Sequence, residues 1–159
     1  MRGLGPMSLL IVTLACQSQG REEPPQAVPS KLEIVAAPAS GDVAKLVREA
    51  QIEANRARRK LLVYVSASWC EPCRHFQEAA ARGQLDGEFG DLRLLKFDFD
   101  RDEKRLARAG YQSKMIPLWV VPEPSGRGSD KRTAGSIKGP GAVGDIRPRL
   151  RKLREQIVF

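Results

Sequence analysis

Two cysteines stand three positions apart in Ser68-Trp69-Cys70-Glu71-Pro72-Cys73. Thiols at that spacing can close a small disulfide ring and reopen it, or offer two sulfurs to a soft metal ion. Before them runs Leu61-Leu62-Val63-Tyr64-Val65, a continuous apolar stretch suited to a strand buried on both faces. After them, Glu71 to Arg82 is rich in Ala and Gln and is closed by Gly83, the pattern of a helix with a glycine stop. Cys70 is therefore expected at a helix N-terminus, where unpaired backbone N–H groups and the positive end of the dipole favour thiolate over thiol. Cys73, one turn further in, is expected to be shielded and to act only after the first bond has formed. Pro72 lacks an N–H and pre-sets the helical φ, so it fits the first turn.

A structural zinc site needs four ligands, and the chain has no second cysteine pair. His75 is the only histidine. It falls well round the helix from Cys70 and reads as a solvated helix residue. No metal is expected, and no flavin or nicotinamide fingerprint occurs, so the Cys70–Cys73 disulfide is itself the expected redox group. The alternative from another class is a non-catalytic binding module, or a Cu(I) carrier using the two thiolates.

The rest of the chain must hold this motif in place. Asp42 to Arg59 puts Val43, Leu46, Val47, Ala50, Ala54 and Ala57 on one helical face, with Ser40 or Asp42 as cap. Leu92 to Phe99 reads as the next strand and Asp102 to Ala109 as a short helix. Leu118 to Val121 and Arg132 to Lys138 read as strands paired through the turn near Ser125-Gly126. A last helix spans about Asp145 to Ile157, with Pro148 in its first turn. Trp119, Phe97 and Phe99 read as core. Strands alternating with helices, then a closing hairpin and helix, predict an α/β layer fold.

At this point the residues carry a resemblance. Trp69-Cys70-Glu71-Pro72-Cys73, followed 47 residues past Cys70 by Ile116-Pro117 at the start of a strand, resembles the thioredoxin family over about residues 42–158. The resemblance implies a thioredoxin fold, a central mixed β-sheet flanked by helices, and protein thiol–disulfide exchange. It implies that Pro117 is a cis-proline pressed beside the sulfurs, that Ile116 offers backbone hydrogen bonds to an extended substrate, and that Trp69 lies over the disulfide. Two positions depart from the family. A buried Asp commonly precedes the motif, where this chain has Tyr64; Lys96 matches that acid's usual lysine partner. Glu71-Pro72 replaces Gly-Pro, which places an acid beside Cys70 with Arg74 as its offsetting cation. Glu-Pro is similar to membrane-tethered reductases of cytochrome c maturation, but the spacing has no room for their βα insertion. A first helix behind a tether instead resembles periplasmic thioredoxin-like domains, some of which receive electrons from a membrane partner.

The 159 residues allow one domain of roughly 100–150 residues and a tail. With 42% hydrophobic and 29% charged residues the composition is globular. No apolar run reaches the roughly 18 residues of a membrane span. Residues 1–16 resemble a lipoprotein signal: an apolar stretch from Met7 to Ala15, then Cys16 as the expected lipidation site. Ordinary cleavage near Ala15, or no processing, are the alternatives. Residues 17–40, with Pro24, Pro25, Pro29 and Pro38, read as a tether reaching roughly 25–30 Å, although residues 31–35 alternate like an edge strand. Residues 41–159 are the expected domain. These readings place the protein outside the cytoplasm, in the periplasm, anchored at a membrane surface. Its partners would be protein thiols or disulfides and a membrane or soluble electron donor. The net charge of +8 gathers towards the C-terminus, where nine basic residues from Arg127 onward face Asp130, Asp145 and Glu155. That cluster has no interleaved aromatics, so no nucleic-acid partner is expected.

Overall fold

The computed structural model describes residues 29–158. The signal segment with Cys16, and the first part of the tether, lie outside them.

A five-stranded sheet runs through the middle of the molecule. Its strands are β1 (Glu33–Ala36), β2 (Lys60–Ser66), β3 (Leu92–Asp98), β4 (Leu118–Pro122) and β5 (Gly128–Ala134). Their spatial order is β1-β3-β2-β4-β5. The first three are mutually parallel, β4 runs antiparallel to β2, and β5 antiparallel to β4. The helices are α1 (Val43–Arg56), α2 (Glu71–Ala81), the single turn α3 (Asp86–Phe89), α4 (Phe99–Arg108) and α5 (Ala142–Glu155).

Alternation along the central strands sorts the core into two layers. Leu62, Tyr64, Leu94, Trp119 and Val121 face α2 and α5, meeting Phe76, Ala79, Ile146, Leu150 and Leu153. Leu61, Val63, Val65, Phe97, Leu118 and Val120 face the other way, onto Val43, Val47, Ala50 and Ala54 of α1 and Leu106 of α4. This is why β2 is apolar at consecutive positions: both faces are covered. Tyr64 stacks on Trp119 at 5.3 Å, and Phe76 meets both rings edge-on. Burying each of these side chains contributes roughly 1.5–3 kcal/mol.

Several boundaries differ from the sequence expectation. Within the stretch read as tether, residues 33–36 form β1, pairing in parallel with β3. Asp42, not Ser40, caps α1, accepting the Lys45 N–H at 2.7 Å. Helix α4 begins at Phe99 because the Asp98 carboxylate accepts the Asp100 and Arg101 N–H groups and so starts the helix early. Strand β5 starts at Gly128, four residues before the expected start, and ends where Gly135 adopts a φ of +72°. As an edge strand of polar residues it carries no apolar alternation to mark it. Helix α5 starts at Ala142, so Pro148 lies beyond the first turn, where it forgoes the bond to the Gly144 carbonyl.

The basic C-terminal third is tied inward. Glu88 of α3 accepts from Arg147 at 2.9 Å and from Arg151 at 2.7 Å, and Asp91 accepts from Arg154 at 2.7 Å. Burial alone would raise the Glu88 carboxyl, but the hydrogen bonds and charges of both arginines outweigh it and hold it below its usual range. Glu88→Gln is expected to cost about 1 kcal/mol at neutral pH, read as a lower urea midpoint. Added salt should narrow the difference; a gap unchanged by salt would refute the electrostatic origin.

Candidate active site

Strand β2, sealed on both faces, delivers the chain through Ala67 into the first turn of α2. There Cys70 is the N-cap, its backbone extended (φ −78°, ψ 101°), and its Sγ accepts the Cys73 N–H at 3.3 Å. Pro72 lies in that first turn. Cys70 and Cys73 form a disulfide with Cα atoms 5.2 Å apart. Cys70 is 4% exposed and Cys73 fully buried, so of the pair solvent reaches only Cys70.

Two distant segments close around it. From α4, Phe99 packs on the cluster of Ala67, Cys70 and Cys73 and meets Trp69 edge-on at 6.1 Å. Trp69 is 63% exposed, yet held: its Nε1–H donates to Asp100 Oδ2 at 2.8 Å. From the loop before β4, Ile116 packs on the same cysteine cluster, followed by a cis peptide to the buried Pro117. Strand order, the N-terminal helix position of the disulfide and this loop against it together decide the architecture.

It is a thioredoxin fold.

Its mixed sheet and flanking helices are the ones expected from sequence. No family model and no curated protein matches the chain. Among solved structures it is similar to thioredoxin O1 from Arabidopsis thaliana in the oxidised state, at 17% identity over 80% of this chain and 97% of that one, with a TM-score of 0.46. It is similar to thioredoxin F from spinach chloroplast at 18% identity, 82% and 98% coverage and a TM-score of 0.47. Trxlp from Edwardsiella tarda is 21% identical over 71% of this chain and 98% of its own, with a TM-score of 0.43.

Within this thioredoxin fold the two departures have definite surroundings. Tyr64 and Lys96 are direct partners in the β2–β3 register. They do not touch through a charge; Gln77, one turn past Cys73 on α2, links them. Lys96 Nζ donates to Gln77 Oε1 at 3.1 Å, and Gln77 Nε2 donates to the Tyr64 hydroxyl at 3.4 Å and the Cys73 carbonyl at 3.2 Å. Burial pushes the Tyr64 hydroxyl far above its ordinary range, opposed by its hydrogen bonds with Ser66 and Gln77. It therefore stays a neutral phenol and supplies no base for Cys73. Gln77 escaped the sequence reading; the one signal for it was its position four residues after Cys73.

Glu71 also has partners other than the one expected. Arg74, named as the offsetting cation, lies 3.9 Å from Glu78. The Glu71 carboxylate accepts the Gly139 N–H at 3.1 Å and lies 3.6 Å from His75 Nε2. His75 is thus half-buried beside Glu71, not a freely solvated residue. Among the described residues no group of three or more His, Cys, Asp or Glu could hold a metal ion. The two sulfurs, once reduced, would be adjacent soft donors for Cu(I).

Proposed function

We propose that this protein is a thiol–disulfide oxidoreductase acting on protein substrates through Cys70 and Cys73. The observation that carries the reading is the asymmetric disulfide at the α2 N-terminus, Cys70 at the cap and slightly exposed, Cys73 fully buried, with Ile116 packed beside them. In the reducing direction the Cys70 thiolate attacks one sulfur of a substrate disulfide. That sulfur bonds to Cys70, and the other leaves as a thiolate that takes up a proton. The Cys73 sulfur, having given up its proton to solvent, then attacks Cys70 Sγ. The second substrate sulfur is released as thiolate, and the Cys70–Cys73 disulfide forms. Two electrons have passed to the substrate, and a dithiol donor returns them through the same steps reversed. Run backwards, the sequence oxidises a substrate dithiol. The Cys70–Cys73 pair is the whole redox apparatus in this reading, with no separate cofactor.

The reading includes export and anchoring through Cys16, with residues 17 onward as tether, which places the exchange at the membrane surface of the periplasm. An oxidising compartment makes a dedicated electron donor necessary for any reductant there. The test is insulin reduction with dithiothreitol as donor. Turnover well above dithiothreitol alone is expected; tight Cu(I) retention by the reduced protein without turnover would replace the enzyme with a copper-handling module.

A further inference from the structure

We propose that Glu71 is a specificity-determining positioning residue: its carboxylate fastens the β5–α5 loop, residues 135–141, to the helix bearing the disulfide, so that Ile137 walls the surface receiving the guest polypeptide. The inference rests on the exchange reading above and deepens it.

The loop is pinned at both ends to the segments that carry the site. At its start Gly135 N–H donates to the Pro117 carbonyl at 2.8 Å, joining it to the loop of Ile116, while Arg149 donates to the Gly135 carbonyl at 2.8 Å. Met115 lies directly on it: a Cβ at Gly135 would stand 3.4 Å from the Met115 Sδ. At its far end the Gly139 N–H donates to Glu71 Oε1. Gly139 holds a φ of +81° with open space where a Cβ would be, so backbone conformation and not crowding calls for glycine there. Between the two pins the crest is Ile137 and Lys138. Ile137 is 56% exposed, with its Cδ1 over Gly141.

Trp69, Met115 and Ile137 are thus three exposed apolar side chains on three segments that converge on one disulfide. Single exposed apolar residues are ordinary; a convergent set marks a contact surface. The chemistry that fits is an extended polypeptide with apolar side chains flanking its cysteine. Trp69 is steadied by Asp100 and Met115 by Gly135. Ile137 depends on the loop, which Ser136 ties to Asp145 and the Ala142 carbonyl of α5 and which, among the described residues, Glu71 alone ties to α2.

Glu71 has a second effect through its charge, which opposes a thiolate at Cys70. The two effects separate by substitution. Glutamine keeps an Oε1 acceptor for Gly139 and loses the charge; alanine loses both. The experiment measures kcat and KM for insulin, and the rate with the small disulfide 5,5′-dithiobis(2-nitrobenzoate), for wild type, Glu71→Gln, Glu71→Ala and Ile137→Ser. Both Glu71 variants are expected to shift the small-disulfide rate by the same factor. Glu71→Ala and Ile137→Ser are expected to raise the insulin KM about fivefold or more, with Glu71→Gln within about twofold of wild type. Equal insulin KM values for Glu71→Gln and Glu71→Ala, with wild type active, would overturn the clamp alone. Absence of turnover of both disulfides by the wild type would overturn the exchange reading and the clamp's role with it.

Discussion

Cys70→Ala is expected to abolish exchange and every covalent adduct, whereas Cys73→Ala is expected to arrest the protein as a mixed disulfide with its substrate. The asymmetry follows from position on one helix. Cys70 Sγ stands at the cap, accepts a backbone N–H and faces the positive end of the α2 dipole, all of which favour the nucleophilic thiolate. Cys73 is fully buried, and Gln77 engages its carbonyl. A guest sulfur therefore has no route to it before Cys70 has been modified. Loss of the nucleophile should lower turnover by about a thousandfold or more. Mass spectrometry and non-reducing electrophoresis after incubation with a disulfide-bonded peptide measure both variants. An adduct on Cys73 in the Cys70→Ala protein would sink the assignment of roles.

The largest stability effect is expected at Asp102, on α4. Its carboxylate is fully buried and accepts the Asp98 N–H at 2.9 Å, two N–H groups of Arg101 at 2.8 Å and Arg105 Nε at 3.1 Å. Arg105 in turn lies over the Phe97 ring at 5.4 Å and donates to the carbonyls of Pro38 and Gly41, binding the segment before α1 to α4. Asp102→Ala takes the buried carboxylate from Arg105, whose side chain is only 10% exposed, leaving it the Phe97 ring and two carbonyls, and should cost about 3 kcal/mol. Burial works against the charged carboxyl, but its hydrogen bonds with Arg101, Asp98 and Arg105 outweigh that and hold Asp102 below the usual carboxylate range. A lowered folded-state value means the stabilisation is complete above the unfolded value, near 3.9, and disappears as pH falls through the folded one. The gap between wild type and Asp102→Ala in urea midpoint should hold from neutrality to about pH 5 and close below about pH 4. A gap that persists in strong acid would show that the loss comes from packing instead.

The strand before the motif and the capping cysteine were legible because each leaves a local mark, an unbroken apolar run and a glycine stop, whereas Tyr64 and Lys96 were matched to each other only through the family resemblance. Burial on one face or two writes itself into periodicity. What escaped is polar and distant. Glu71 meets Gly139 across 68 positions, and Glu88 meets Arg147 and Arg151 across about 60, with no pattern at either end to announce the partner. Strand β5 sits at an edge and pairs through its backbone, so its side chains were free to be hydrophilic. Helix α3 is a single turn without a side-chain cap, and Gln77 is an ordinary helix former until Lys96 and Tyr64 are folded beside it.

With Cys70 only 4% exposed, the proposed exchange would restrict its clientele by shape before potential has any say. A visitor must carry its sulfur on something slender that stands proud of its own body, a loop tip or an unravelled stretch. Compact proteins whose bridges are sunken would be turned away however eager they are to trade electrons.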